Sequence, residues 1–283
     1  MAGLKPLKSE AAAENFQDEF TSPDASSPEN ANAKQRKDQI LSLVRERGFV
    51  SIDSLAKHFS VTTQTIRRDI NKLCKNGQLR RYHGGAGLHS SVENVSYTDR
   101  QVMFLEEKTR IAQTLVRYIP NKASLFINIG TTTEEVAKAL LHHSGLRIIT
   151  NNINVAKILS SNDSFEVIIT GGVVRGKDWG VMGEATLEFI QQFKVDFGIV
   201  GISGIDYDGT LLDFDFREVR AARAIIDNSR QVYLAADYSK FGRNAMVRLG
   251  HITEVDALFT DRMPPTALVE MMAAADVALH VAK

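Results

Sequence analysis

The chain has 283 residues, 43% of them hydrophobic, with 34 basic and 34 acidic side chains and one cysteine. That length suits two modest domains with real cores. No stretch approaches eighteen apolar residues and no signal-like apolar run opens the chain, so a soluble, cytoplasmic protein without a membrane partner is expected, and the lone Cys74 excludes an intramolecular disulfide.

The neutral total hides an uneven distribution. Residues 1–33 carry two lysines and six acidic residues, a net −4, whereas residues 34–83 carry twelve basic and four acidic residues, a net +8. Such a basic block is the electrostatic footprint of a polyanion binder. Residues 1–33, rich in Ala, Ser, Pro and Asn, read as a disordered tail.

From Lys34 to Arg47 a first helix places Ile40, Leu41, Leu43 and Val44 at helical spacing. Ser51 suits the cap of a second helix, with Asp53 in its first turn and Leu55, Ala56 and Phe59 facing inward. After a short Ser60-Val61 turn, a third helix carries Ile66, Ile70, Leu73 and Cys74 on one stripe, where Cys74 reads as a small buried hydrophobe. Gln64, Arg67, Arg68, Asn71 and Lys75 gather on the opposite side. Thr62 or Thr63 caps this helix, and its free N–H groups favour a nearby phosphate. Two short helices joined by a tight turn, the second polar outward, form a helix-turn-helix whose second helix suits a DNA major groove. Asn76-Gly77 stops it, and Gln78 to His83 followed by Gly84-Gly85 reads as a hairpin wing, with Arg80, Arg81 and His83 in reach of phosphates or a minor groove.

The runs Thr62 to Ile70 and Leu79 to Ala86 resemble the DNA-binding domain of DeoR-family bacterial transcription regulators. The resemblance implies that Gln64, Thr65, Arg67 and Arg68 read or clamp an operator. Asp69, acidic and beside the apolar stripe, is expected to orient an arginine or cap a neighbour.

The winged domain is expected over residues 34–88, a polar linker over 89–105 and a second domain over 106–283. The second domain opens with an amphipathic helix from Glu106 to Ile119. Apolar runs from Leu125 to Ile129, Arg147 to Thr150, Phe165 to Thr170, Phe197 to Val200, Val232 to Ala236, Ala257 to Thr260 and Val277 to Val281 then alternate with helical stretches, among them Thr133 to Leu141 and Glu218 to Asn228. This is the pattern of a mostly parallel, doubly wound α/β domain, whose ligands bind beyond the carboxyl ends of the strands. Gly130-Thr131-Thr132-Thr133 follows the first strand, Asn151-Asn152 the second, Gly171-Gly172 the third, Gly201 to Gly204 the fourth and Asp237 to Lys240 the fifth. A glycine or threonine after a strand usually makes only a turn. Five small or polar punctuations on one rim favour a phosphorylated small molecule, with an anion at the Gly130 turn, Lys240 as fixed cation and Asp213, Asp215 and Glu218 as hydroxyl acceptors.

His142-His143 lacks companions at ligand spacing, so no metal is expected, and the Gly171-Gly172 and Gly176 spacing is not a dinucleotide fingerprint. Trp179 either lines or covers the pocket. No cofactor is implied.

Leu125 to Thr133, Gly183 to Leu187, Val200 to Asp206, Leu211 to Asp215 and Ser239 to Met246 are similar to the sensor domain of one DeoR branch, the repressors of glycerol-3-phosphate regulons. The resemblance implies a sugar-phosphate sensor related in fold to ribose-5-phosphate isomerase, and a homo-oligomeric repressor of glycerol metabolism genes released from its operator by glycerol 3-phosphate. Many relatives carry Asp where this chain has Asn128. The alternatives are a response to another sugar phosphate, or an isomerase-like enzyme with an appended DNA-binding domain; the resemblance favours a regulator without enzymatic activity.

Overall fold

The computed structural model describes residues 28–47, 49–76, 78–82, 84–87 and 94–283. The N-terminal domain runs through helix α1 (Pro28–Arg47), strand β1 (Phe49–Ser51), helices α2 (Ile52–Phe59) and α3 (Thr63–Lys75), and strands β2 (Arg80–Tyr82) and β3 (Gly85–Gly87). Residues 28–33, expected in the tail, therefore belong to α1; the rest of that tail, Gly77 and His83 lie outside the described residues.

Local chemistry sets the helix boundaries. Ser51 accepts a hydrogen bond from the Ser54 N–H at 3.1 Å and Thr62 one from the Thr65 N–H at 3.2 Å, each satisfying a donor that the helix cannot. Ser60 ends α2 in the left-handed conformation. Ile40, Val44, Leu55, Ile66, Ile70 and Leu73 close a core among the three helices, each stabilising the domain by about 1.5–3 kcal/mol through burial. Cys74 lies half-buried beside it, and burial pushes its thiol pKa up.

Asp69 is the polar member of that interior. Its carboxylate accepts from Arg36 Nε at 2.7 Å, joining α3 to α1, and both side chains are largely shielded from water. Asp69→Ala should lower the stability of this domain by about 1–3 kcal/mol, because it strands a desolvated guanidinium; a thermal melt unchanged from wild type would refute that contribution.

The hairpin is present, with β2 antiparallel to β3, and β1 pairs along the other edge of β3. Nothing in the sequence signals β1, since three residues are too few to show alternation and the pairing is with a segment some 35 residues away.

The region expected as a linker is not plain linker. Helix α4 (Tyr97–Val102) lies within it and docks on the second domain, the Tyr97 hydroxyl donating to both carboxylate oxygens of buried Glu134 at 2.8 and 3.0 Å. Helix α5 (Leu105–Leu115) follows, ending four residues before Ile119 in a 3-10 turn. His143 Nε2 lies within hydrogen-bond distance of the carbonyls of Val116 and Ile119, a structural use of that side chain.

The second domain continues with β4 (Ser124–Ile127), α6 (Thr131–Leu140), β5 (Arg147–Thr150), α7 (Ile153–Leu159), β6 (Glu166–Ile169), the hairpin β7 (Val173–Arg175) and β8 (Gly180–Met182), and α8 (Glu184–Ile190). Then come β9 (Val195–Gly201), β10 (Gly204–Ile205), β11 (Thr210–Asp213), α9 (Phe216–Asp227), β12 (Ser229–Ala235), β13 (Val247–His251), β14 (Ala257–Thr260), α10 (Thr266–Ala274) and β15 (Ala278–Val281). All seven expected strands meet in one parallel sheet of order β15-β14-β12-β9-β4-β5-β6. One core gathers α5, α6 and α7 on one face of the sheet, and the other gathers α8, α9 and α10.

This order locates a candidate site. From β4 the chain winds through β5 to β6 on one side, then crosses to β9 and winds through β12 and β14 to β15 on the other. The switch point lies between β4 and β9, and there the helices diverge and leave a crevice at the strands' carboxyl ends.

Candidate functional site

The crevice is walled by the residues that follow β4 and β9: Asn128, Gly130, Thr131 and Thr132 on one side, Gly201 and Ser203 on the other. Asp213 from the end of β11, Glu218 from the first turn of α9, and Lys240 and Arg243 from the loop after β12 complete it. Arg100 of α4 also reaches in, so one wall comes from the segment that joins the two domains.

Helix α6 starts at this crevice without a side-chain cap, leaving its first backbone N–H groups for a ligand. The Thr133 hydroxyl cannot serve there, since it donates to the carbonyls of Asn128 and Gly130 at 2.7 and 2.8 Å. Asn128 is 5% exposed and its Oδ1 has no hydrogen-bond partner among the described residues. A buried orphan polar atom facing a cavity calls for a ligand or water.

Three cations and two carboxyl groups share the space. Arg243 donates to the Asn94 Oδ1 at 2.7 Å and to the Ser203 carbonyl at 3.2 Å, and lies 5.1 Å over the Phe214 ring. Its backbone also closes on β10, where a Cβ on Gly204 would sit 2.1 Å from the Arg243 carbonyl oxygen, so only glycine allows this approach. Arg100 Nε donates to the Val95 carbonyl at 3.2 Å, while Lys108, buried at the start of α5, donates to the Arg100 carbonyl. Lys240 Nζ stands 3.4 Å from Asp237, whose side chain is 1% exposed.

Asp213 accepts from the Ser203 hydroxyl at 3.0 Å and from the Phe214 N–H at 2.6 Å, yet burial holds its pKa above the ordinary value. Burial and the neighbouring Asp213 push Glu218 up to about 7 despite its ion pair with Arg175. With Arg100, Lys240 and Arg243 against Asp213 and Glu218, the lining carries more cationic than carboxyl groups. It can bind an anion and, at the same time, exchange hydrogen bonds with hydroxyl groups.

The DNA-facing candidates cluster elsewhere. Gln64, Arg67, Arg68 and Asn71 are exposed along α3, opposite Ile66, Ile70 and Leu73. Arg81 of the wing donates to Asn71 Oδ1 at 2.9 Å, bringing wing and helix into one surface.

The DeoR C terminal sensor domain family matches residues 103–262, and the DeoR-like helix-turn-helix domain family matches residues 36–92. The chain belongs to the DeoR family. The glycerol-3-phosphate regulon repressor of Escherichia coli (strain K12) is 54% identical over 238 residues, 84% of this chain and 94% of that protein. Its counterpart in Haemophilus influenzae is 52% identical over 229 residues, 81% and 89% of the two chains. The HTH-type transcriptional repressor CsqR of Escherichia coli is 44% identical over 233 residues, 82% and 89%. Among solved structures, ribose 5-phosphate isomerase A from Neisseria gonorrhoeae aligns at 15% identity and a TM-score of 0.35 over 47% of this chain and 52% of that one, a distant likeness.

Within this DeoR-family sensor domain the rim residues expected from sequence divide into two groups. Gly130, Thr131, Thr132, Gly201, Asp213, Glu218 and Lys240 line the crevice. Asn151, Asn152, Gly171 and Gly172 do not, because β5 and β6 end on the far side of the switch point, and Asp215 is taken up at the start of α9. Asn151 donates to the Val181 carbonyl at 3.3 Å; Asn152 caps α7 and donates to Glu134 at 3.2 Å. Gly171 accepts from Thr186 and Gly172 packs against it. Asp215 caps α9 and pairs with Arg175 and Arg217. Trp179 stands half-exposed on the β7–β8 hairpin, outside the lining. Among the described residues no group of three or more His, Cys, Asp or Glu side chains is placed to share a metal ion, and no helix is long and apolar enough to cross a membrane.

Arg100 and Arg243 line the crevice although neither is among the residues expected at the rim, whereas Ser203 falls in the Gly201 to Gly204 stretch expected there. Arg243 lies inside a run that carries the family resemblance, so a signal existed for it. Arg100 had none, since nothing in a polar stretch says that it folds back onto a strand end.

Proposed function

We propose that the protein is a cytoplasmic, homo-oligomeric repressor of glycerol metabolism genes that binds operator DNA in the absence of glycerol 3-phosphate and releases it when that ligand fills the crevice. The observation that carries the reading is the convergence of Arg100, Lys240 and Arg243 with an uncapped helix start and two carboxyl groups of raised pKa. Cations and free N–H groups suit the phosphate, and Asp213, Glu218 and Asn128 suit the two hydroxyl groups. The carboxyl groups serve as acceptors for hydroxyls, so recognition rather than turnover is the outcome. The percentage identity with two glycerol-3-phosphate regulon repressors supports the choice of ligand.

For DNA, Thr62 and Thr63 at the α3 N-terminus suit a phosphate, while Gln64, Thr65, Arg67, Arg68 and Asn71 suit the groove, with Arg81 beside Asn71 on the wing. Fluorescence anisotropy with DNA from upstream of glycerol-metabolism genes should show release by glycerol 3-phosphate and by neither glycerol nor inorganic phosphate. Binding that ignores the phosphate ester would overturn the ligand assignment. Arg67→Ala and Arg68→Ala should each weaken operator binding by about 1–3 kcal/mol while leaving the ligand-induced melting shift intact; operator affinity equal to wild type in both would refute their role.

A further inference from the structure

The two arginines of the wing have different partners. Successive residues of a strand point to opposite sides, and β2 turns exposed Arg81 toward Asn71 on α3 while half-buried Arg80 points at the second domain. There Arg80 Nη2 donates to the Gly242 carbonyl at 2.5 Å. Gly242 sits between two of the crevice cations. The Arg243 N–H donates to the Lys240 carbonyl at 3.3 Å, closing residues 240–243 into a turn, and Gly242 occupies it at a φ of +68° with its own N–H on the Ile205 carbonyl at 2.7 Å. One tight turn thus presents Lys240 and Arg243 to the ligand crevice and a single carbonyl to the wing.

We propose that Arg80 is a tether rather than a DNA contact: its bond to Gly242 fixes the wing and α3 in the operator-binding orientation, and an anion that draws Lys240 and Arg243 inward turns the Gly242 carbonyl away and frees the wing. This rests on the ligand assignment given above. The physical basis is the short lever: a four-residue turn pinned at its middle cannot re-aim both flanking cations and keep the carbonyl between them in place. With the tether gone, the DNA-binding domains of an oligomer lose the fixed spacing that two half-sites require.

The test compares wild type, Arg80→Ala and Arg81→Ala in operator-binding anisotropy over a range of salt concentrations, with and without glycerol 3-phosphate. Wild type should lose affinity on ligand addition by a factor within the usual range of about 5–150-fold. Arg80→Ala without ligand should bind as weakly as ligand-loaded wild type, lose less than about 2-fold more on ligand addition, and keep the wild-type salt slope, because no phosphate contact is removed. Arg81→Ala should lower the salt slope by about one and keep the full release factor. A ligand-induced rise in the melting temperature of Arg80→Ala shows that its sensor domain is folded and occupied. An Arg80→Ala variant that still releases DNA by the wild-type factor overturns the tether. A wild type that ignores the ligand overturns the ligand assignment, and the tether with it.

Discussion

Lys240→Met is expected to lower the stability of the sensor domain by about 3–5 kcal/mol, the scale of loss when one partner of a buried ion pair is removed. Lys240 Nζ lies 3.4 Å from Asp237 Oδ2, and the Asp237 side chain is 1% exposed. Burial opposes the charge on Asp237, yet the Lys240 ammonium and the hydrogen bonds from Ser239 hold its carboxyl below the usual range. Without Lys240 that carboxylate must stay charged in a dry site or take up a proton at neutral pH, and both cost free energy. The double variant Asp237→Asn with Lys240→Met should recover most of the loss, because asparagine keeps the acceptor that caps the turn at Ser239 and brings no charge. Urea denaturation of wild type and the two variants decides the matter. A double variant no more stable than Lys240→Met would mean that the lysine acts through packing alone.

The second large effect is one of pH. Glu218 titrates near 7 in the folded protein, against an ordinary 4.5, with burial as the main cause and Asp213 as the next. The folded state therefore holds its proton more tightly than the unfolded chain does. Between pH 4.5 and 7 the unfolded chain gives up that proton while the folded protein keeps it, so stability falls as pH rises through this window and levels off above it. With 20% of the side chain exposed, screening trims the full linkage value to about 2–3 kcal/mol. Other groups titrate too, so the measurement is the difference between wild type and Glu218→Gln in chemical denaturation at pH 5 and pH 8. The variant should lose about 2–3 kcal/mol less than wild type on going from pH 5 to pH 8; equal losses would show that Glu218 does not carry the shift.

Local signals in the sequence were sufficient for the helices and strands whose patterns they set. Ile66, Ile70 and Leu73 recur at the helical period and Thr62 caps the turn before them, so α3 and its two faces are readable from a dozen residues. The seven buried strands are short apolar runs between turn residues, and all seven were legible for the same reason. The family, too, was written in the runs Thr62 to Ile70 and Ser239 to Met246. What the sequence could not order was the set of strands. Five polar rims looked equivalent in one dimension, and only the sheet order, with β4 beside β9, separates Gly130, Gly201 and Lys240 at the switch point from Asn152 and Gly172 away from it. The same holds for Arg100 and Arg80. Each belongs to a segment whose local pattern is silent, and its direction is fixed by long-range contacts: α4 docking through Tyr97 on Glu134, and β2 meeting the turn at Gly242. Periodicity and caps act over a few residues and are therefore legible, whereas a ligand site at a strand-order reversal is assembled from residues more than a hundred positions apart, and only the folded chain brings them together.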